Sequence, residues 1–125
     1  MEIVACTDKC FVMPTGVMMK SVCSNNKESI INFHIVCDDS LKEKDKEDLK
    51  SVIKDSNSNI FFYFVNGIEF DDVPALDNAS VTKAAYYRLE LTRLLPESIN
   101  KVLYLDGDII VRKSIEELYN TDISN

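Results

Sequence analysis

Apolar runs of strand length alternate along this chain with stretches whose apolar residues recur every three or four positions. Glu2 to Asp8, Ile31 to Cys37, Ile60 to Val65 and Lys101 to Leu105 are short, bounded and rich in apolar residues, which predicts strands. Met13 to Asn25 carries the i, i+4 pairs Met13/Val17 and Met18/Val22, with Pro14 near its first turn, and predicts a helix. Leu41 to Ser56 predicts another, with Leu41, Leu49, Val52 and Ile53 inward and a solvated face of Lys, Glu and Asp. Asp38-Asp39-Ser40 is placed to cap it. Ser80 to Leu95 predicts a third helix through Tyr87, Leu91, Leu94 and Leu95, ended by Pro96. Asn66 to Asn78, with Gly, Pro and many acids, reads as a loop. Ile109 to Val111 reads as a short strand, followed by a helical turn capped by Ser114 with Glu117 at its third position.

Strands alternating with helices predict an α/β fold with a mainly parallel sheet covered on both faces. The chain of 125 residues is one domain or part of one. No closing element follows the last strand, so residues 1–125 read as the amino-terminal part of a truncated domain, expected to self-associate or to be only marginally stable.

Composition narrows the partners. A formal net charge of −7 argues against nucleic acid and anionic membrane surfaces, both of which attract basic proteins. The opening Met1-Glu2-Ile3-Val4 has neither a basic nor an extended apolar region of a secretory signal, and no apolar run approaches the ~18 residues of a membrane span. Cys6, Cys10, Cys23 and Cys37 lie scattered without Cys-x-x-Cys spacing, which favours free thiols of a reducing cytoplasm over a disulfide framework.

Candidate chemistry gathers at strand ends. Asp106 and Asp108 follow the run Val102-Leu103-Tyr104-Leu105 one residue apart. In an extended segment their side chains share one side, and like charges so placed suit a hard divalent cation, Mn²⁺ or Mg²⁺. Gly107 between them admits a ligand or a turn close to the backbone; the alternative reading is a plain solvated turn. Thr7 and Asp8 end the first strand, where an acid accepts hydrogen bonds from a ribose or a base edge, and Phe11 offers a ring for stacking. Against this, Asp8 is equally suited to cap the next helix and Phe11 to fill the core. Arg88, beside the core-facing Tyr87, can reach an anion or make a surface ion pair. His34 has no ligand neighbours at useful spacing and reads as structural.

Four ordered segments resemble the family 8 glycosyltransferases, which include bacterial lipopolysaccharide galactosyl- and glucosyltransferases and glycogenin. They are Glu2 to Phe11, Val81-Thr82-Lys83-Ala84-Ala85-Tyr86-Tyr87-Arg88-Leu89, Lys101-Val102-Leu103-Tyr104-Leu105-Asp106-Gly107-Asp108, and Ser114 to Asp122. The resemblance implies a GT-A fold, a UDP-sugar donor such as UDP-glucose or UDP-galactose, Mn²⁺, and transfer with retention to a glycan or lipid-linked saccharide acceptor. It implies that Ala5, Cys6 and Thr7 offer backbone contacts to the nucleoside, that Asp8 contacts the uracil and that Phe11 stacks on it. It further implies that Arg88 touches the diphosphate or sugar and that Asp106 and Asp108 hold the metal, with Gly107 in the same turn. Cys10 and Phe11 depart from the family's Asn and Tyr. The family's later metal-binding His and sugar-binding acids have no counterpart in residues 1–125, and His34 belongs to the second strand. The expected setting is cytoplasmic, with the inner membrane face reached through the missing carboxyl-terminal part. Two further readings are a phosphatase of the haloacid dehalogenase type, which also carries Asp-x-Asp after an apolar strand, and a non-catalytic nucleotide-binding fragment.

Overall fold

The computed structural model describes residues 1–65 and 83–124. Four strands, β1 (Glu2–Thr7), β2 (Ile31–Cys37), β3 (Ser58–Phe64) and β4 (Leu103–Tyr104), form one sheet of order β3-β2-β1-β4, all pairs parallel. The helices are α1 (Val12–Asn25), α2 (Glu43–Val52), α3 (Leu91–Leu94) and α4 (Glu116–Tyr119), with a 3-10 helix over Lys83–Glu90. The predicted loop Asn66 to Asn78 and the beginning of the predicted helix at Ser80 lie outside the described residues.

Register explains how the strands bury both faces. Ile3, Ala5, Phe33 and Ile35 point one way, into a core closed by Met18, Met19 and Val22 of α1 and Leu49 of α2. Val4, Cys6 and Val36 point the other way, against Tyr87, Leu91 and Leu94. A strand buried on both faces cannot alternate apolar with polar, hence the continuous apolar runs of β1 and β2. Burial of Phe33, fully enclosed at the centre of the larger core, contributes roughly 2–3 kcal/mol.

Several expectations need correction. The predicted helix Leu41 to Ser56 shortens to α2, because Asp45 accepts the Lys42 backbone N–H at 2.9 Å and its ion pair with Lys9 draws it into the protein instead of solvent. Met13 and Val17 of α1 do not face the core; they are 80% and 50% exposed, while Met18 and Val22 are buried. The predicted helix ending at Leu95 is 3-10 through Glu90 and α-helical for only its last turn. Ile109 to Val111 forms no strand: Val111 donates its N–H to the Ser21 hydroxyl (2.9 Å) and accepts from the Asn25 amide (3.0 Å), so α1 side chains take the bonds a neighbouring strand would have taken. Ser114 is not the N-cap of α4, which is Ile115 without a side-chain cap bond; the Ser114 hydroxyl accepts the Glu116 N–H at 3.3 Å. Buried Asn26, just past α1, accepts from the Ser114 hydroxyl and the Ile115 N–H, both at 3.0 Å, and so anchors the approach to α4.

His34 is structural, as expected. Its ring sits between Glu2 (Nε2 to Oε2, 2.6 Å) and the Tyr63 hydroxyl (Nδ1 to oxygen, 3.0 Å), stacked on Phe61. All four cysteines are free, with Cys6, Cys23 and Cys37 buried and Cys10 exposed.

Candidate active site at the carboxyl edge of the sheet

Parallel strands deliver their carboxyl ends to one edge, where open α/β folds hold ligands. At the end of β1 the chain turns at Asp8, whose carboxylate accepts the N–H of Cys10 (2.8 Å) and of Phe11 (3.1 Å). Asp8 thus ties the turn before α1 through one oxygen, Oδ1, but does not cap the helix as anticipated: the N-cap is Phe11, without a side-chain cap bond. Phe11 is partly buried at the entrance to α1. Ala5 and Thr7 are fully buried, backbone and side chain alike, and Cys6 is only 9% exposed. Pairing with β4 stops at Val4 and Leu105, whereas pairing with β2 continues to Thr7; one flank of β1 thus projects past its neighbour.

The second half of the site comes from the turn after β4. Arg88 Nη2 lies 3.3 Å from Asp106 Oδ1, and its guanidinium packs 4.7 Å from the centre of the Tyr104 ring. Sequence reasoning left Arg88 between an anion contact and an ion pair; here it makes the ion pair, with a residue singled out for metal binding. Both partners are about half exposed, so the bridge is worth at most about 1 kcal/mol and opens easily. Beneath it, burial raises the Cys6 thiol to about 11, against the smaller opposing effects of a hydrogen bond with Tyr104 and the charge of Arg88. Cys6 stays a neutral thiol at physiological pH and supplies no nucleophile.

Asp106 and Asp108 do not lie on a strand. Leu105 ends the extended segment, and Gly107 and Asp108 form a turn with both carboxylates exposed. Asp108 borders a small hollow of about 260 Å³ formed with Met13, Pro14, Val17, Ile109 and Ile110. Gly107 is buried, and a Cβ there would stand 2.7 Å from Thr15 Oγ1. No described glycine has a positive φ. The glycine is thus required by the close approach of α1, not by a left-handed turn. Among the described residues no three His, Cys, Asp or Glu side chains gather as a metal-binding group. Two exposed carboxylates nevertheless suit a Mn²⁺ or Mg²⁺ ion that keeps its other positions for water and phosphate oxygens. A cleft of about 690 Å³ between α1 and α2 touches this edge through Lys9 and has a mainly apolar floor.

Sequence reasoning read Asp38-Asp39-Ser40 as a helix cap and Tyr87 as core; Lys42 is the N-cap of α2 instead, and Asp38, Ser40 and Tyr87 hold this edge together. Tyr87 donates its hydroxyl to Asp38 Oδ2 at 2.6 Å, and Ser40 donates both its backbone N–H and its hydroxyl to Asp38 Oδ1. Burial pushes the Asp38 pKa up, but these hydrogen bonds outweigh it and hold the carboxyl below its ordinary value. The available signal was position: Asp38 follows β2 just as Asp8 follows β1.

A family model, glycosyl transferase family 8, matches residues 2–125. Lipopolysaccharide glucosyltransferase WaaO of Escherichia coli (strain K12) is 32% identical over 114 residues, covering 91% of this chain and 33% of that protein. General stress protein A of Bacillus subtilis (strain 168) is 29% identical over 126 residues, covering 99% of this chain and 43% of that protein. A crystal structure of the galactosyltransferase LgtC with donor and acceptor sugar analogs superposes with a TM-score of 0.90 at 30% identity, covering 99% of this chain and 44% of that one. The fold is therefore GT-A. This chain spans less than half the length of these relatives. The phosphatase reading falls away, because the match to a glycosyltransferase runs through every described strand and helix and not just the Asp-x-Asp. The family's first strand, its arginine segment and its acidic turn are brought to one sheet edge in the order the sequence carries them, and the chain belongs to glycosyl transferase family 8.

Proposed function

We propose that residues 1–125 are the nucleotide-sugar-binding part of a GT-A glycosyltransferase that moves a hexose from UDP-glucose or UDP-galactose to a glycan or lipid-linked saccharide, with retention. The observation that carries this reading is the Arg88–Asp106 pair beside the projecting end of β1. In the proposed complex the backbone of Ala5, Cys6 and Thr7 and the carboxylate of Asp8 receive the nucleoside, with Phe11 against the base. Asp106 and Asp108 would hold a divalent cation, Mn²⁺ or Mg²⁺, which when bound would supply Lewis-acid neutralisation of diphosphate charge. The Arg88–Asp106 bridge is weak and exposed, so Arg88 would be able to turn to the diphosphate, where a guanidinium can bind two oxygens at once. The relatives' acceptors support a lipopolysaccharide-type saccharide and a cytoplasmic setting. Among the described residues no helix is long and apolar enough to cross a membrane.

Calorimetric titration of UDP with and without Mn²⁺ tests this. Affinity should rise with Mn²⁺ and lose that rise in Asp108→Asn, with the far-UV spectrum unchanged because Asp108 is exposed. Equal affinity in both buffers would sink the proposal.

A further inference from the structure

The hydrogen bonds around Asp38 join three separate segments. One oxygen of its carboxylate receives the hydroxyl of Tyr87, the residue directly before Arg88 in the 3-10 helix. The other receives Ser40, whose hydroxyl oxygen in turn accepts the backbone N–H of Lys9 at 3.1 Å. Lys9 lies in the turn between Asp8 and Phe11, and its ammonium is tied to Asp45 of α2. A single carboxylate at the end of β2 thus grips both halves of the candidate site. Its bonds to Ser40 fix the β1–α1 turn, and its bond to Tyr87 fixes the helix that presents Arg88.

Geometry makes each connection short. Tyr87 is almost fully buried against Val4, Cys6 and Val36, so its ring is held by packing and its hydroxyl by Asp38. Two constraints on one side chain leave the adjoining Arg88 little freedom of origin. On the other side the Ser40 hydroxyl, its proton given to Asp38, accepts the Lys9 N–H. A backbone N–H held in this way sets the path of the turn that carries Asp8.

We propose that Asp38 is a positioning residue for the nucleotide site, one arm (Tyr87) aiming Arg88 at the diphosphate and the other (Ser40) setting the turn that receives the nucleoside. This rests on the nucleotide reading above, and it predicts that the two arms can be separated. Tyr87→Phe removes one hydroxyl and keeps the ring; Ser40→Ala removes the contact to Lys9.

The test uses the ¹⁵N-labelled chain with diamagnetic Mg²⁺, following amide spectra while titrating UDP or uridine. Tyr87→Phe should shift the Arg88 and Asp106 amides and weaken UDP about fivefold, the equivalent of one net hydrogen bond, with uridine affinity unchanged. Ser40→Ala should shift the Lys9, Cys10 and Phe11 amides and weaken UDP and uridine by the same factor. Asp38→Ala should do both, and Asp38→Asn, which keeps an acceptor for Ser40 and a donor for the Tyr87 oxygen, should recover most of the loss. Equal weakening of UDP and uridine in Tyr87→Phe, or unmoved Arg88 and Asp106 amides, would overturn the assignment. Should the wild type bind neither probe, the nucleotide function fails, while the amide shifts still decide whether Asp38 couples the two arms.

Discussion

Replacing Gly107 by alanine probes the closest contact in the acidic turn. The added Cβ would sit 2.7 Å from Thr15 Oγ1 and 3.7 Å from the Thr15 Cα and Cβ, so the hydroxyl alone is in the way. Thr15 is fully buried, its side chain is β-branched within α1, and it donates to Thr7 Oγ1 at 3.0 Å. It cannot swing aside without leaving that buried bond, which costs about 1–3 kcal/mol. If it stays, the turn must shift, at a similar overpacking cost. Alanine offsets about 0.5 kcal/mol by restricting the unfolded chain, since no positive φ has to be preserved. The net expectation is a loss of about 1.5 kcal/mol, read as a fall of several degrees in melting temperature. In a Thr15→Ala background the obstacle is gone, and the same substitution should be close to neutral. Chemical denaturation of the four proteins of this cycle measures the coupling. An equal cost of Gly107→Ala in both backgrounds would show that Thr15 does not decide the residue between the two acids.

Two further outcomes follow from charge. Millimolar Mn²⁺ or Mg²⁺ should raise the wild-type melting temperature by mass action, and Asp106→Asn should abolish most of the gain; an unchanged wild-type curve in differential scanning fluorimetry would leave the turn as a turn. The folded-state pKa values of Glu2 and Asp38 lie below their ordinary values, because hydrogen bonds from His34 and Asn32 to Glu2, and from Ser40 and Tyr87 to Asp38, outweigh the upward push of burial. Groups depressed on folding stabilise the protein above their unfolded values near pH 4, and that stability is lost as pH falls through the lower folded values. Glu2→Gln should therefore flatten the acid limb of a stability-against-pH curve, and an unaltered limb would refute the assignment.

Much of this architecture was legible before any coordinates. β1 and β2 announce themselves as continuous apolar runs because both faces of a central parallel strand are covered. The acids at strand ends were visible because strand ends are where a charge escapes the core. The 3-10 geometry around Arg88 was not, since over two turns a spacing of three and one of 3.6 select nearly the same apolar positions. Nor was the role of Asn26, Ser40 or Asp38 in joining segments. A polar residue that bonds to a partner dozens of positions away leaves no periodic trace. Gly107 was read as room for a ligand or a turn; the turn is there, but what needs the missing side chain is the close approach of α1, which sequence alone does not reveal.

The register of the sheet also orders the assembly of the protein in time. Glu2 meets Asn32 across a separation of 30 residues, while Ile3 meets Leu103 across 100. Closing the longer loop costs about 1 kcal/mol more entropy, so β1, β2 and β3 with their two helices can form a nucleus on which β4 docks last. Asp8 belongs to that nucleus and the Asp106–Asp108 turn to the late arrival. A ligand that needs both would bind only chains that have completed this final pairing, making occupancy of the edge a report on finished folding.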